Sequence, residues 1–272
     1  MTIQDRCARY LMPAIRIKIG FFQMLAIFET DVRKLRHDPY ELFTRMIQPI
    51  LWLLIFGQAM AKVHVIDTGD TKYLDFIAPG ILAQSILFAS IFYGISLIWE
   101  RDMGILQKVL VSPCARSSFV IGRALAAGIR GLSQAIVIYI IAFFLSVDIS
   151  LTPFSLIGVV LFVFLGSALF STISLIVASI VKKRERFMGV GQVLTMPLFF
   201  ASNALYPIAM MPPWLVILSH FNPLTYQVDA FRSLMILGEP STFGLLHDFL
   251  VLFTMLILAI SVATRLYPKI IN

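Results

Sequence analysis

The sequence predicts an all-α integral membrane protein. Six transmembrane helices follow an N-terminal amphipathic interface helix. A cytoplasmic helix joins the second and third spans, and outer re-entrant half-helices precede the last. Three observations lead there. Hydrophobic residues make up 59% of the 272 and charged ones 14%, where soluble domains carry roughly 45–50% and about 25%; mean hydropathy is +0.88. Six apolar runs, near 44–62, 76–99, 124–147, 153–181, 187–206 and 246–264, are long enough to cross a bilayer, which takes about 20 residues. The basic residues are partitioned by side. With both termini inside, eight Lys and Arg through Arg45, five in 100–130, four in Lys182–Arg186 and two after 264 are cytoplasmic, leaving Lys62, Lys72 and Arg232 outside. Basic residues gather on the cytoplasmic side of membrane proteins, so the net charge of +7 reads as orientation rather than as affinity for nucleic acid.

This divides the chain into a cytoplasmic N-terminal segment, 1–43, and a six-helix transmembrane domain, 44–272. The first residues carry Arg6, Arg9, Arg16 and Lys18 without the apolar core and cleavage site of a secretory signal. Cys7 and Cys114 both fall on the cytoplasmic side, where a disulfide is not expected. Within 21–40, Phe21, Leu25, Phe28, Val32 and Leu35 step by four and three and form one helical stripe. Glu29, Asp31, Arg33, Lys34 and Arg36 lie largely off it, and Pro39 closes the helix. Such a helix lies on the membrane surface, as an anchor or as a surface for a cytoplasmic partner.

Between the second and third spans, Met103, Leu106, Val109 and Leu110 share one helical side from 100 to 112, and Ser112-Pro113 stops the helix. A simple polar turn would suffice to connect two spans. An apolar stripe with charged ends fits either a helix resting on lipid headgroups or one seated in a partner's groove. Between the fifth and sixth spans, Pro207, Pro212, Pro213 and Pro223 break an apolar stretch into pieces too short to span. Irregular backbone at membrane depth is tolerated when it is buried in protein or lines a cavity, which favours two half-helices dipping in from the outer face. Trp214, Phe221 and Tyr226 suit the interface level.

The missing chemistry narrows the function. No G-x-x-x-x-G-K-[ST] loop is present. His37, His64, His220 and His247 are scattered without metal-ligand spacing, so no metal site and no catalytic residues are assigned. The acids Glu41, Asp67, Asp75, Glu100, Asp148 and Asp248 sit at span ends and in loops, away from where an ion-coupled carrier keeps a buried ligand. Arg130, seven residues past Arg123 and so roughly 10 Å along a helix, can reach the inner headgroups. A transporter-like body with no visible energy source remains.

Two stretches resemble a known family. Glu100-Arg101-x-x-Gly104-x-Leu106, followed by Leu110 and Ser112-Pro113, looks like the coupling-helix region of ABC-2 type transporter permeases, with Gln107 where the family often has Glu. Asn203, Tyr206-Pro207, Met211-Pro212, Trp214-Leu215, Asn222-Pro223-Leu224-Thr225-Tyr226, Asp229 and Arg232 are similar to the pattern before the last span in its drug- and glycolipid-exporting branch. The resemblance implies a homodimer of permeases in a bacterial cytoplasmic (inner) membrane, each copy bound to a separate ABC ATPase subunit that uses ATP and Mg; this chain itself binds no cofactor and no nucleic acid. It implies ATPase coupling through Glu100, Arg101, Gly104, Leu106, Val109, Leu110 and Pro113 and through the interface helix. The implied outer gate is Asn203, Pro207, Pro212, Trp214, Asn222, Pro223 and Tyr226. The cargo implied is an amphipathic or lipid-like substrate such as a glycolipid, lipid-linked saccharide or hydrophobic drug. A membrane-embedded lipid-modifying enzyme would need a clustered acid or His set at one face, and a passive channel a charged ring or filter; the sequence displays neither, and both stay as rival classes.

Overall fold

The computed structural model describes residues 13–63, 72–106, 116–181 and 183–266. Among them the chain is helical, with one isolated antiparallel bridge between Ile149 and Ile236. Helix α1 (Pro13–His37) precedes a bent rod made of α2 (Pro39–Leu51), a π-helical stretch (Trp52–Gly57) and α3 (Gln58–Val63). The second rod, α4 (Tyr73–Phe92) and α5 (Gly94–Asp102), turns slightly at Tyr93. Then come α6 (Arg116–Phe144), α7 (Pro153–Ile180), α8 (Arg184–Phe200), α9 (Pro213–Phe221), α10 (Pro223–Met235) and α11 (Leu245–Leu266).

Among the described residues, four rods are long and apolar enough to cross a membrane: Tyr73–Asp102, Ser117–Phe144, Pro153–Ile180 and Leu245–Leu266. The two other expected spans differ for local reasons. The run at 44–62 is helical from Pro39 to Val63, but Pro49 lies inside α2 and six residues wind as π-helix; a proline inside a helix removes one backbone bond and clashes with the preceding turn. The run expected at 187–206 is helical only to Phe200. Its 17 residues reach about 26 Å, short of the roughly 30 Å hydrocarbon core. Residues 201–206 leave the helix with Ser202, Asn203, Ala204 and Leu205 buried. The third helix starts earlier than expected, at Arg116 instead of 124.

Helix α7 is the centre, packing on α6, α11, α4 and α10. Thr152 starts it, its hydroxyl accepting from the Ser155 N–H at 3.2 Å, with Pro153 in the first turn. The Tyr73–Asp102 rod is mostly buried and the Leu245–Leu266 rod mostly exposed, so the former is a core rod and the latter a rim rod with Leu250, Phe253, Ile257 and Leu258 on its outer face. Small residues permit the closest approaches, as they do between membrane helices generally. A Cβ on Gly80 would stand 2.2 Å from the Ala204 carbonyl oxygen, and one on Gly122 would stand 2.8 Å from that of Met24. The first contact seats the 201–206 segment on α4, the second seats α1 on α6.

Candidate functional site: two polar joints at opposite ends of the bundle

At the end that the charge distribution predicts to be inner, a largely buried set of charges ties α1 to the rods. Asp31 and Lys34 come from α1, Tyr93 from the α4–α5 turn, Glu100 from α5, and Arg123 and Arg130 from α6. Arg123 is 2% exposed, Asp31 3% and Glu100 8%. Arg123 Nη2 donates to Glu100 Oε2, and its Nε lies 3.6 Å from Asp31 Oδ2. The Tyr93 hydroxyl donates to the same Asp31 oxygen. Lys34 Nζ lies 2.7 Å from Glu100 Oε1 and 3.4 Å from Asp31 Oδ1. Arg130 stacks over the Tyr93 ring at 4.1 Å. Burial by itself would raise the Asp31 carboxyl, but Arg123, the Tyr93 hydroxyl, Lys34 and Arg130 outweigh it and hold the group below its ordinary value.

This arrangement corrects several expectations. Glu100 turns inward to Arg123 rather than outward to a partner. Arg130 is 5% exposed on Tyr93 and does not reach toward headgroups. Leu106 is fully buried with Leu97, Ile98, Phe119, Leu175 and Phe187 in the chain's own core, so its side chain cannot fill another protein's groove. No single helix runs from 100 to 112: α5 ends at Asp102, and Gly104 turns the chain at φ +70°, a left-handed conformation that glycine adopts without a Cβ penalty. Val109, Leu110 and Pro113 lie outside the described residues. The exposed large apolar side chains here are Trp99, Met103 and Ile105. Arg101 pairs with Asp102 at 3.1 Å, and Asp102 with Arg184 of α8 at 2.9 Å.

The face of α1 is also displaced. Asp31 and Leu35 are buried, Phe28 and Val32 are half-buried, and Met24 and Ile27 meet Gly122 of α6. Phe21 and Leu25 stay exposed beside Phe22. The α1–α6 seam therefore runs beside the purely apolar stripe, and a charged residue lies on it. Two signals in the sequence pointed this way. Asp31 stands three residues after Phe28 and four before Leu35, on the buried side, and Arg123 and Arg130 repeat at seven on one face of a single helix.

At the outer end, Asn222 separates α9 from α10. Its Oδ1 accepts the Leu224 N–H at 3.0 Å and its Nδ2 donates to the Leu198 carbonyl at 2.6 Å, while Pro223 occupies the first turn of α10. Tyr226 is buried, not interfacial, and its hydroxyl donates to the His220 carbonyl at 2.6 Å. Arg232 Nη2 donates to the Asn203 carbonyl at 2.8 Å and its guanidinium covers the Phe76 ring at 3.8 Å. Asp229 accepts from Ser241 Oγ and from the Thr242 and Phe243 N–H groups at 2.7, 3.1 and 3.0 Å, and Ser241 also meets Asp248, which is buried rather than peripheral. Pro207 precedes a short 3-10 turn at Ile208–Met210, and Pro212 and Trp214 are exposed at the start of α9. Asn203, Asn222, Tyr226, Asp229 and Arg232 thus lock the half-helices to α4, α8 and α11, while Trp214 and Pro212 face outward.

A family model described as ABC-2 type transporter matches residues 22–236, which include the inner joint and the half-helices of the outer one. The chain belongs to the ABC-2 type transporter family. Its relatives in this family are transport permeases. The ycf38 transport permease of Cyanophora paradoxa is 36% identical over 203 residues, covering 74% of this chain and 70% of the relative. The inner membrane transport permease YadH of Escherichia coli K12 is 28% identical over 221 residues, 76% and 82% of the two chains. The daunorubicin resistance ABC transporter permease protein DrrB1 of Streptomyces coeruleorubidus is 22% identical over 200 residues, 74% and 70%. Within the ABC-2 chain, the match begins in α1 and ends at the close of α10, so most of the surface helix, the inner joint and the half-helices fall inside one family domain.

Proposed function

We propose that the chain is the membrane subunit of an ATP-driven exporter. Two copies form the body, each crossing the membrane six times with both termini cytoplasmic. A separate ATPase subunit binds below, and an amphipathic or lipid-like cargo leaves the cytoplasm or the inner leaflet. The four long rods are four of the crossings; Pro39–Val63, and α8 continued through 201–206, are the other two. The observation that carries the proposal is the inner joint. A surface helix that only anchored the chain would have no need of a buried, charge-paired connection to two spanning rods. Such a connection makes α1 and the 99–106 corner one lever with α5 and α6, so a push on the exposed surface moves the rods. Coupling then means that ATP and cargo bias a shared two-state element from distinct sites.

The partner surface follows from exposure. Met103, Ile105 and Trp99 project at the corner, and the open side of α1 near Phe28, Val32, Arg33, Arg36 and His37 forms a shallow concavity. The half-helices at the other end serve as the outer gate.

The test is co-expression with candidate P-loop ATPase subunits from the same genome. Expected are co-purification of the two subunits and ATP hydrolysis that candidate cargo changes, with none from this chain alone. Robust hydrolysis by the isolated chain, or a permease that transports without any ATPase, would overturn the proposal. A lipid-modifying enzyme would instead convert lipid in the absence of ATPase.

A further inference from the structure

Helix α7 ends at Ile180 and α8 begins at Arg184, and a groove of about 750 Å³ lies against both ends. It belongs to the end of the bundle that carries the inner joint, since Phe187 of α8 packs with Leu97 and Leu106. The basic residues here divide by direction. Arg184 turns to Asp102 at 2.9 Å and covers the Trp99 ring at 3.5 Å. Lys183 and Arg186 line the groove instead, exposed, with no hydrogen bond or ion pair among the described residues. They are three apart, so their side chains leave neighbouring positions, about 5–6 Å between Cβ atoms. No acidic residue lines the groove. Beyond the two charges its wall is apolar and exposed, with Ile180 from α7 and Val190 and Val193 from α8. Along α8 the order is Arg186, Gly189, Val190, Val193: a charged head followed by about 10 Å of uncharged face. Gly189 is the unexplained member. A glycine inside a helix is less stable than alanine unless something needs the space. Gly191 has such a reason, because a Cβ there would stand 3.3 Å from the Phe92 ring. A Cβ on Gly189 would meet no atom of this chain within 4 Å.

We infer that this groove binds one anionic phospholipid of the leaflet at this end, with its phosphate between Lys183 and Arg186 and an acyl chain running over Gly189 toward Val193. Guanidinium and ammonium groups both suit phosphate oxygens, the first by its planar donors and the second as a point charge. A free phosphate would satisfy the two charges and leave Ile180, Val190 and Val193 uncovered. A second copy of the chain is the rival occupant. A two-fold pairing puts the same patch on both sides of the contact, so it would bring two cations from each copy together. A phospholipid matches both the charge and the apolar floor. Nothing in this depends on ATP coupling, only on α7 and α8 lying in a bilayer.

The experiment is native mass spectrometry of the purified chain, without ATPase, from detergent holding equal amounts of phosphatidylglycerol and phosphatidylcholine with the same acyl chains. It counts retained lipid and copies of the chain together. One phosphatidylglycerol per chain should be retained, preferred over phosphatidylcholine by more than about tenfold, and millimolar inorganic phosphate should not displace it. Lys183→Gln and Arg186→Gln should each lower the preference about fivefold, the scale of one basic residue against an anionic lipid, and Arg186→Lys should retain most of it. Gly189→Leu should reduce retention of both lipids without lowering the unfolding temperature, because no atom of this chain stands in its way. Arg265→Gln, an exposed arginine at the same end but outside the groove, should change nothing. Equal retention of the two lipids, an unaltered preference in the Lys183→Gln, Arg186→Gln double variant, the same loss in Arg265→Gln, or displacement by inorganic phosphate would each overturn the inference. So would a Gly189→Leu chain that loses its paired copy and keeps its lipid. Heat unfolding verifies that each variant is folded, and a preference kept by Arg186→Lys separates loss of charge from loss of fold.

Discussion

The Arg123 guanidinium of α6 stands 3.6 Å from the Asp31 carboxylate of α1, with both groups all but closed to solvent. A charge pair in such a place gains little against an apolar substitute, because desolvation offsets the attraction. Removing one member is different, since the other then stays buried and uncompensated. Arg123→Ala strips the partner from both Asp31 and Glu100. It should destabilise the folded chain by about 3–5 kcal/mol. Asp31→Asn combined with Arg123→Gln should cost less than the two single changes added together, because the groups share one network. Heat unfolding of the four proteins in detergent measures this, and strict additivity would show that the residues do not form one joint.

The same pair sets an acid limit. The Asp31 carboxyl is held below its ordinary value of 3.8 in the folded chain, so the unfolded chain binds this proton more readily. The stabilisation is complete above that value and is lost as pH falls through it toward the lower native value. Stability contributed by this group should therefore be flat from neutral pH down to about 5 and decline below about 4. Asp31→Asn should remove that part of the decline. A drop near neutral pH that disappears in Asp31→Asn would contradict the assignment.

At the corner after α5, burial separates structural from contact residues. Leu106 lies in the core, and Leu106→Ala should cost about 2–5 kcal/mol of stability. Met103 and Ile105 are exposed. Met103→Asp and Ile105→Asp should leave the fold within about 0.5 kcal/mol of wild type, as surface changes do, while ATPase co-purification falls. Undiminished ATPase binding in the Met103→Asp, Ile105→Asp double variant would move the contact elsewhere.

Gly122 sets the distance between α1 and α6. A Cβ there would already press on the Met24 carbonyl, and backbone cannot yield as a flexible side chain can. Gly122→Leu should lift α1 from α6 and raise proteolysis or hydrogen exchange in 20–35. Transport should be lost even though the half-helices keep their protection. Unchanged exchange in α1 would show that the close approach is not needed.

Asn222 caps α10 with its side chain, and losing such a cap typically costs about 1 kcal/mol. Asn222→Ala also breaks the bond to the Leu198 carbonyl. The outer segment should become accessible to impermeant cysteine reagents, tested with single cysteines at 204 and 219, which are buried in the folded chain. Wild-type labelling and transport would remove Asn222 from the gate.

The sequence by itself determined the class of protein and the linear arrangement. Composition and run length depend on solvent alone: a chain this apolar must bury its backbone in helices, and its uneven Lys and Arg distribution implies an orientation. Pro207, Pro212 and Pro223 marked the outer stretch as broken, because proline acts locally on its own turn. Tertiary structure decided everything that depends on which face meets which helix. Asp31, Glu100 and Arg130 look like ordinary polar flanks until three helices bring them to Arg123 and Tyr93. Leu106 looks like a partner-facing residue until Phe119, Leu175 and Phe187, distant in the chain, close around it. Helical periodicity reports that an apolar face exists; what covers it is fixed by packing between segments far apart in sequence, which no local pattern encodes.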